Sequence, residues 1–149
     1  MKITLKIIFA FLFIPHLLHA TEVVLDSIKY PKVWLEAQYT IGEKLLKDNQ
    51  QFDKALDHFK NSHDFAISQN ISDQFPEIVI GYGVAMYKNG DINNAYTILL
   101  ESLPLIKDKD LKLKAQANQI LGMTLVFQSK FSEGYKYQMD ALTLSLIHI

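Results

Sequence analysis

From Pro31 to Leu142 the core-type positions recur at three- and four-residue steps, the period of amphipathic helices, and alternating strand patterns are almost absent. Three runs carry the period: Leu35, Gln38, Ile41, Gly42 and Leu45; Val79, Tyr82, Gly83 and Met86; Asn118, Leu121, Gly122 and Leu125. Gly42, Gly83 and Gly122 stand at the same place in each run, 41 and 39 residues apart. A short polar turn follows each run, at 47–50, 88–91 and 128–130. A second apolar run then opens at Phe52, Ile92 or Phe131.

Three residues into each second run the chain is small again, at Ala55, Ala95 and Gly134, spaced by 40 and 39. Seven residues later come Ser62, Ser102 and Ala141. Two columns of small residues with one shared period predict repeated helical hairpins, spanning about 32–70, 72–106 and 108–143. A mid-helix glycine costs up to about 1 kcal/mol relative to alanine. Its repetition therefore predicts close approach of the paired helices, small residue on small residue, with larger side chains interdigitating around it. One such hairpin cannot bury its apolar face alone, so the hairpins are expected to stack.

The run Ile41-Gly42, Ala55, Phe59 and Ser62, repeated as Tyr82-Gly83, Asn89-Gly90-Asp91, Ala95, Leu99 and Ser102, and again as Leu121-Gly122, Phe131, Gly134 and Ala141-Leu142, resembles the tetratricopeptide repeat family. The middle unit matches best. The third departs, with Gly134 where alanine is usual and Gln138 where a large apolar residue is usual, and the first has an extra residue in its turn. The period near 40 is similar to the long-helix variety of exported sensor proteins and kinesin light chains. The resemblance covers about 110 residues and implies an all-α, right-handed stack of three antiparallel hairpins.

The resemblance also implies a concave groove lined by the first helix of each pair. Carried over, the groove candidates are Glu36, Tyr39, Glu43, Glu77, Ile80, Val84, Tyr87, Lys88, Gln116, Gln119, Met123 and Phe127. The alternative for any of them is packing against a neighbouring repeat. Some family members grip a peptide carboxylate with a Lys/Asn clamp. Here the corresponding positions hold Tyr39 and Glu43, Ile80 and Val84, Gln119 and Met123, so that clamp is missing. A mixed apolar and acidic groove suits a helix or an extended apolar peptide.

Ahead of the repeats the chain reads MKITLKIIFAFLFIPHLLHA: two lysines, an apolar core from Ile7 to Ile14, a break at Pro15 and a small residue at Ala20. This is the layout of a secretory signal peptide cleaved after Ala20. The alternative, an uncleaved anchor, has too short an apolar stretch for the ~20 residues of a span. Residues 21–31 are expected to be a linker. Losing Lys2 and Lys6 from the 15 basic residues leaves 13 against 16 acidic ones, a mildly acidic exported protein. At the other end, Leu144 to Ile149 reads LSLIHI, which also translates CTG TCT CTT ATA CAC ATC, the start of a transposase end sequence used as a sequencing adapter. Residues 144–149 are accordingly expected to derive from adapter, and the chain to be a fragment.

Composition mostly excludes. There is no cysteine, so disulfides, thiolate metal sites and cysteine nucleophiles are out. All fifteen basic residues are Lys, which removes bidentate Arg recognition, and a net charge of -1 lacks the positive excess that nucleic acid requires. Of five histidines, His16 and His19 fall in the leader and His148 in the suspect tail. His58 and His63 are five apart on one helix, about 140° around it, so they do not share a face. Solvated helix positions are the better reading than a metal or acid–base site. No catalytic or phosphate-cradling motif is present. The expectation is a non-catalytic, exported protein–protein or peptide interaction module without cofactor or metal. The alternative is the N-terminal sensory region of a membrane-anchored signalling protein. Its output domain (histidine kinase, diguanylate cyclase or DNA-binding regulator) and membrane segment would lie beyond this chain.

Overall fold

The computed structural model describes residues 29–47 and 51–147. The expected leader, most of the expected linker, the turn at 48–50 and the last two residues of the expected adapter tail lie outside the described residues. The chain divides into two compact units, Met1–Glu36 and Ala37–Ile149, and all packing described below belongs to the second.

The described residues form six α-helices and no strand: α1 Pro31–Lys47, α2 Phe52–Ser68, α3 Pro76–Lys88, α4 Ile92–Ser102, α5 Leu111–Phe127 and α6 Phe131–Ile147. Short 3-10 turns, Ser72–Gln74 and Leu103–Leu105, follow α2 and α4. The fold is all-α, as the period of the sequence predicts. Helix starts follow local chemistry. Pro76 opens α3, where its missing N–H has no partner to lose. Asp91 caps α4, its carboxylate accepting from the Asn94 backbone N–H at 3.4 Å and the Asn94 amide at 2.9 Å.

Three helices stop in the same way. Asn70, Gly90 and Ser129 have φ of 55°, 84° and 62°, and the next residue donates back across the turn to the last helical turn: Ile71 to Ala66, Asp91 to Met86 and Lys130 to Leu125. These are Schellman ends, and the left-handed residue explains glycine at position 90. Both turns from α3 to α4 and from α5 to α6 occur where the polar breaks predict them.

Packing runs mainly between successive helices: α2 on α3, α3 on α4, α4 on α5 and α5 on α6, with α3 also against α5. Ile80 and Val84 of α3, Leu99 of α4, Ile106 after the second 3-10 turn, and Ala117, Ile120 and Leu121 of α5 form one buried cluster. Helix α3 is buried around most of its circumference, from Ile78 through Ala85 apart from Tyr82. Such a helix belongs inside a fold rather than at its surface. The second small column is also internal: Ala55 and Ala95 are fully buried, and Ser62 and Ser102 turn their hydroxyls onto the His58 and Leu99 carbonyls of their own helices, each at 2.9 Å.

The glycine column does mark close helix contacts, but its partners differ from the small-on-small expectation. A Cβ on Gly42 would collide with the Phe59 ring, one on Gly83 would stand 2.6 Å from Leu99 Cγ, and one on Gly122 would stand 2.7 Å from Gln138 Nε2. Phe59, Leu99 and Gln138 each lie four residues, about one helical turn, past the small residue of their helix. Only Gly122 and Gly134 meet small on small. Gly81, which the repeat columns do not include, also lies against Phe59, so that ring fits where neither α1 nor α3 has a side chain.

Candidate functional site

Two adjoining clefts gather part of the predicted groove. The larger, about 710 Å³, is walled by Glu43 and Lys47 of α1, Lys112, Ala115, Gln116 and Gln119 of α5, and Gln138, Ala141, Leu142 and Ser145 of α6. The smaller, about 430 Å³, lies between Tyr39 of α1, Glu77 of α3 and the start of α5 from Lys109 to Leu113, with Gln116 again on its wall. Gln116 and Lys112 border both. The structure thus brings together Tyr39, Glu43, Glu77, Gln116 and Gln119 of the predicted set.

The acidic side of the groove is internally tied. Tyr39 donates its phenolic proton to Glu43 Oε1 at 3.0 Å, and the other Glu43 oxygen pairs with Lys47 Nζ at 3.5 Å. Burial, reinforced by the Glu43 carboxylate, pushes the Tyr39 hydroxyl well above the usual phenol range, so it remains a donor. Tyr39 also tilts against Phe59, ring centroids 6.4 Å apart, which fixes the ring to the core. On the far wall, Gln138 donates its amide N–H to the backbone carbonyl of Gln119 at 2.9 Å, and Ser145 donates to Ala141 at 2.9 Å. The cleft offers carboxamides, one carboxylate, two ammonium groups and the Ser145 hydroxyl, a surface rich in hydrogen-bonding groups.

The remaining predicted groove residues go elsewhere. Ile80 and Val84 are buried in the core cluster, not on the groove, because α3 is covered by α2, α4 and α5. Met123 and Tyr87 are half-buried against the same cluster, and Tyr87 meets Phe127 edge-on at 6.0 Å. Lys88 is exposed and sits over the Phe52 ring, 5.7 Å from its centroid, away from both clefts. Glu36 and Phe127 are exposed and line neither cleft.

Gln138, Lys47 and Lys112 are among the cleft residues that the sequence pattern does not single out. The signal for Gln138 was its departure from the repeat: a carboxamide where Phe59 and Leu99 stand in the other two hairpins. Lys47 and Lys112 carry no such signal, since lysines at helix ends are ordinary solvated positions.

The two histidines separate as their spacing requires. His58 Nε2 donates to the Gln38 carbonyl of α1 at 2.9 Å, whereas His63 lies against the Tyr82 ring of α3, centroids 5.5 Å apart. Among the described residues no group of three His, Asp or Glu is placed to hold a metal ion, and no helix is long and apolar enough to cross a membrane. Comparison with protein-family models, curated proteins and solved structures finds no match to this chain in any of the three.

Proposed function

We propose that the chain is an exported, non-catalytic interaction module of tetratricopeptide type, its three hairpins stacked right-handedly, which binds a peptide or protein segment in the cleft between α1, α5 and α6. The observation that carries this reading is the larger cleft. Helices 80 and 100 residues apart in sequence, α1 with α5 and α1 with α6, converge there on a polar, amide-rich recess of about 710 Å³. Gln116 and Gln119 can each give and accept a hydrogen bond to peptide backbone, while Ala115 and Ala141 supply apolar floor. The repeated glycine contacts, Gly42 on Phe59, Gly83 on Leu99 and Gly122 on Gln138, support equivalent hairpins. The leader-like first twenty residues support export.

The test is selection of binding peptides from a random displayed library against the full chain, followed by titration of the best binder. Gln116→Arg and Gln119→Arg are each expected to weaken binding at least tenfold without changing the melting temperature. Binders insensitive to both substitutions, or a library that yields none, would overturn the reading.

A further inference from the structure

Helix α6 has two unlike faces. Gly134 and Ala141 turn inward onto α5, while Phe131, Tyr135, Met139, Leu142 and Leu146 remain 64, 65, 41, 52 and 63% exposed. At 100° per residue these five fall within an arc of about 80°, a continuous apolar stripe along a helix about 25 Å long. Lys136 and Asp140 are exposed on the one flank of that stripe, and none of the ion pairs among the described residues uses them.

We propose that this face is the interface of a two-fold symmetric dimer, with α6 of a second copy lying antiparallel across it. The stripe is self-complementary in one register. With Met139 near the axis, Tyr135 meets Leu142 of the other copy and Phe131 meets its Leu146. The same register sets Lys136 beside the other copy's Asp140, twice. A parallel pairing would instead carry the two Lys136–Asp140 flanks to opposite sides of the contact, where neither charge meets its counterpart. Antiparallel placement therefore satisfies both the apolar and the charged positions, as an isologous contact must. The apolar side chains would bury on the order of 500 Å² from each copy, near the lower limit for a specific interface, so the dimer is weak and in exchange. The register is defined by residues up to Leu142, and Leu146 extends it.

The test is sedimentation equilibrium on the full chain from about 1 to 500 µM, where half-dissociation is expected on the order of 10 µM. Met139→Glu places two carboxylates at the axis and is expected to give a monomer with unchanged helical circular dichroism. Lys136→Asp is expected to weaken the dimer about tenfold, and adding Asp140→Lys to restore it. A chain monomeric throughout the series would mean that something other than a second copy covers α6, overturning the proposal. So would a dimer indifferent to Met139→Glu, or a charge reversal without rescue.

Discussion

Gly122 and Gly134 meet backbone to backbone: a methyl group on either one would stand 2.9 Å from the carbonyl oxygen of the other. Unlike a side-chain tip, a helix backbone cannot step aside cheaply. Gly122→Ala and Gly134→Ala are each expected to destabilise the fold by about 1–3 kcal/mol through overpacking, less the ~1 kcal/mol that alanine adds to helix propensity. Both changes force the same helices apart, so the double variant should lose less than the sum of the singles. Urea midpoints of the four proteins measure this.

The ring of Phe59 makes a different use of glycine, and the expected sign of coupling reverses. Phe59→Ala leaves a void between α1 and α3 and should cost about 3–5 kcal/mol. Gly42→Ala destabilises the parent chain but partly fills that void in the Phe59→Ala background. A double-mutant cycle should therefore give a coupling of about 0.5–3 kcal/mol in which the second change compensates the first. Strict additivity would show that Gly42 and Phe59 are not in contact.

Ala95 is fully buried on α4 one turn from Leu99, the residue that covers Gly83. Ala95→Leu is expected to overpack the middle hairpin by about 1–3 kcal/mol. An unchanged melting temperature would contradict the register of the small-residue column.

His63 makes stability depend on pH. Burial beside Tyr82 holds its pKa below the ordinary imidazole value, and the Asp64 carboxylate opposes this only in part. Its folded pKa lies below the unfolded one, so the unfolded chain takes the proton more readily. The contribution of His63 is therefore complete above a pH of about 6.5 and is lost as pH falls from there through the folded pKa. Urea midpoints at about pH 7.5 and 5.5 should drop more for the parent chain than for His63→Gln. Equal drops would remove His63 as the cause.

The helices and their glycine contacts were legible because both follow a period that survives in one sequence. What each glycine touches was not. Crossing geometry shifts the partner by one turn, from Ala55 to Phe59 and from Ala95 to Leu99, and periodicity within a helix carries no information about the offset between helices. The groove was read only in part for a related reason. Tyr39, Glu43, Glu77, Gln116 and Gln119 reach the clefts from the open sides of α1, α3 and α5. Ile80 and Val84 hold the corresponding face of α3, but that helix has neighbours nearly all round. Their apolar character belongs to the core cluster, and a face assigned from the repeat pattern could not register how many helices cover α3.

Because most packing joins helices adjacent in the chain, with α3 against α5 as the longer link, the two ends of the array are held from one side and its middle from several. Loss of structure can therefore travel inward from an edge without a global transition. Amide protons of α3 and α4 are expected to exchange with solvent slowest and those of the two end helices earlier, a graded profile in which the binding cleft, walled partly by α1 and α6, loosens before the centre does.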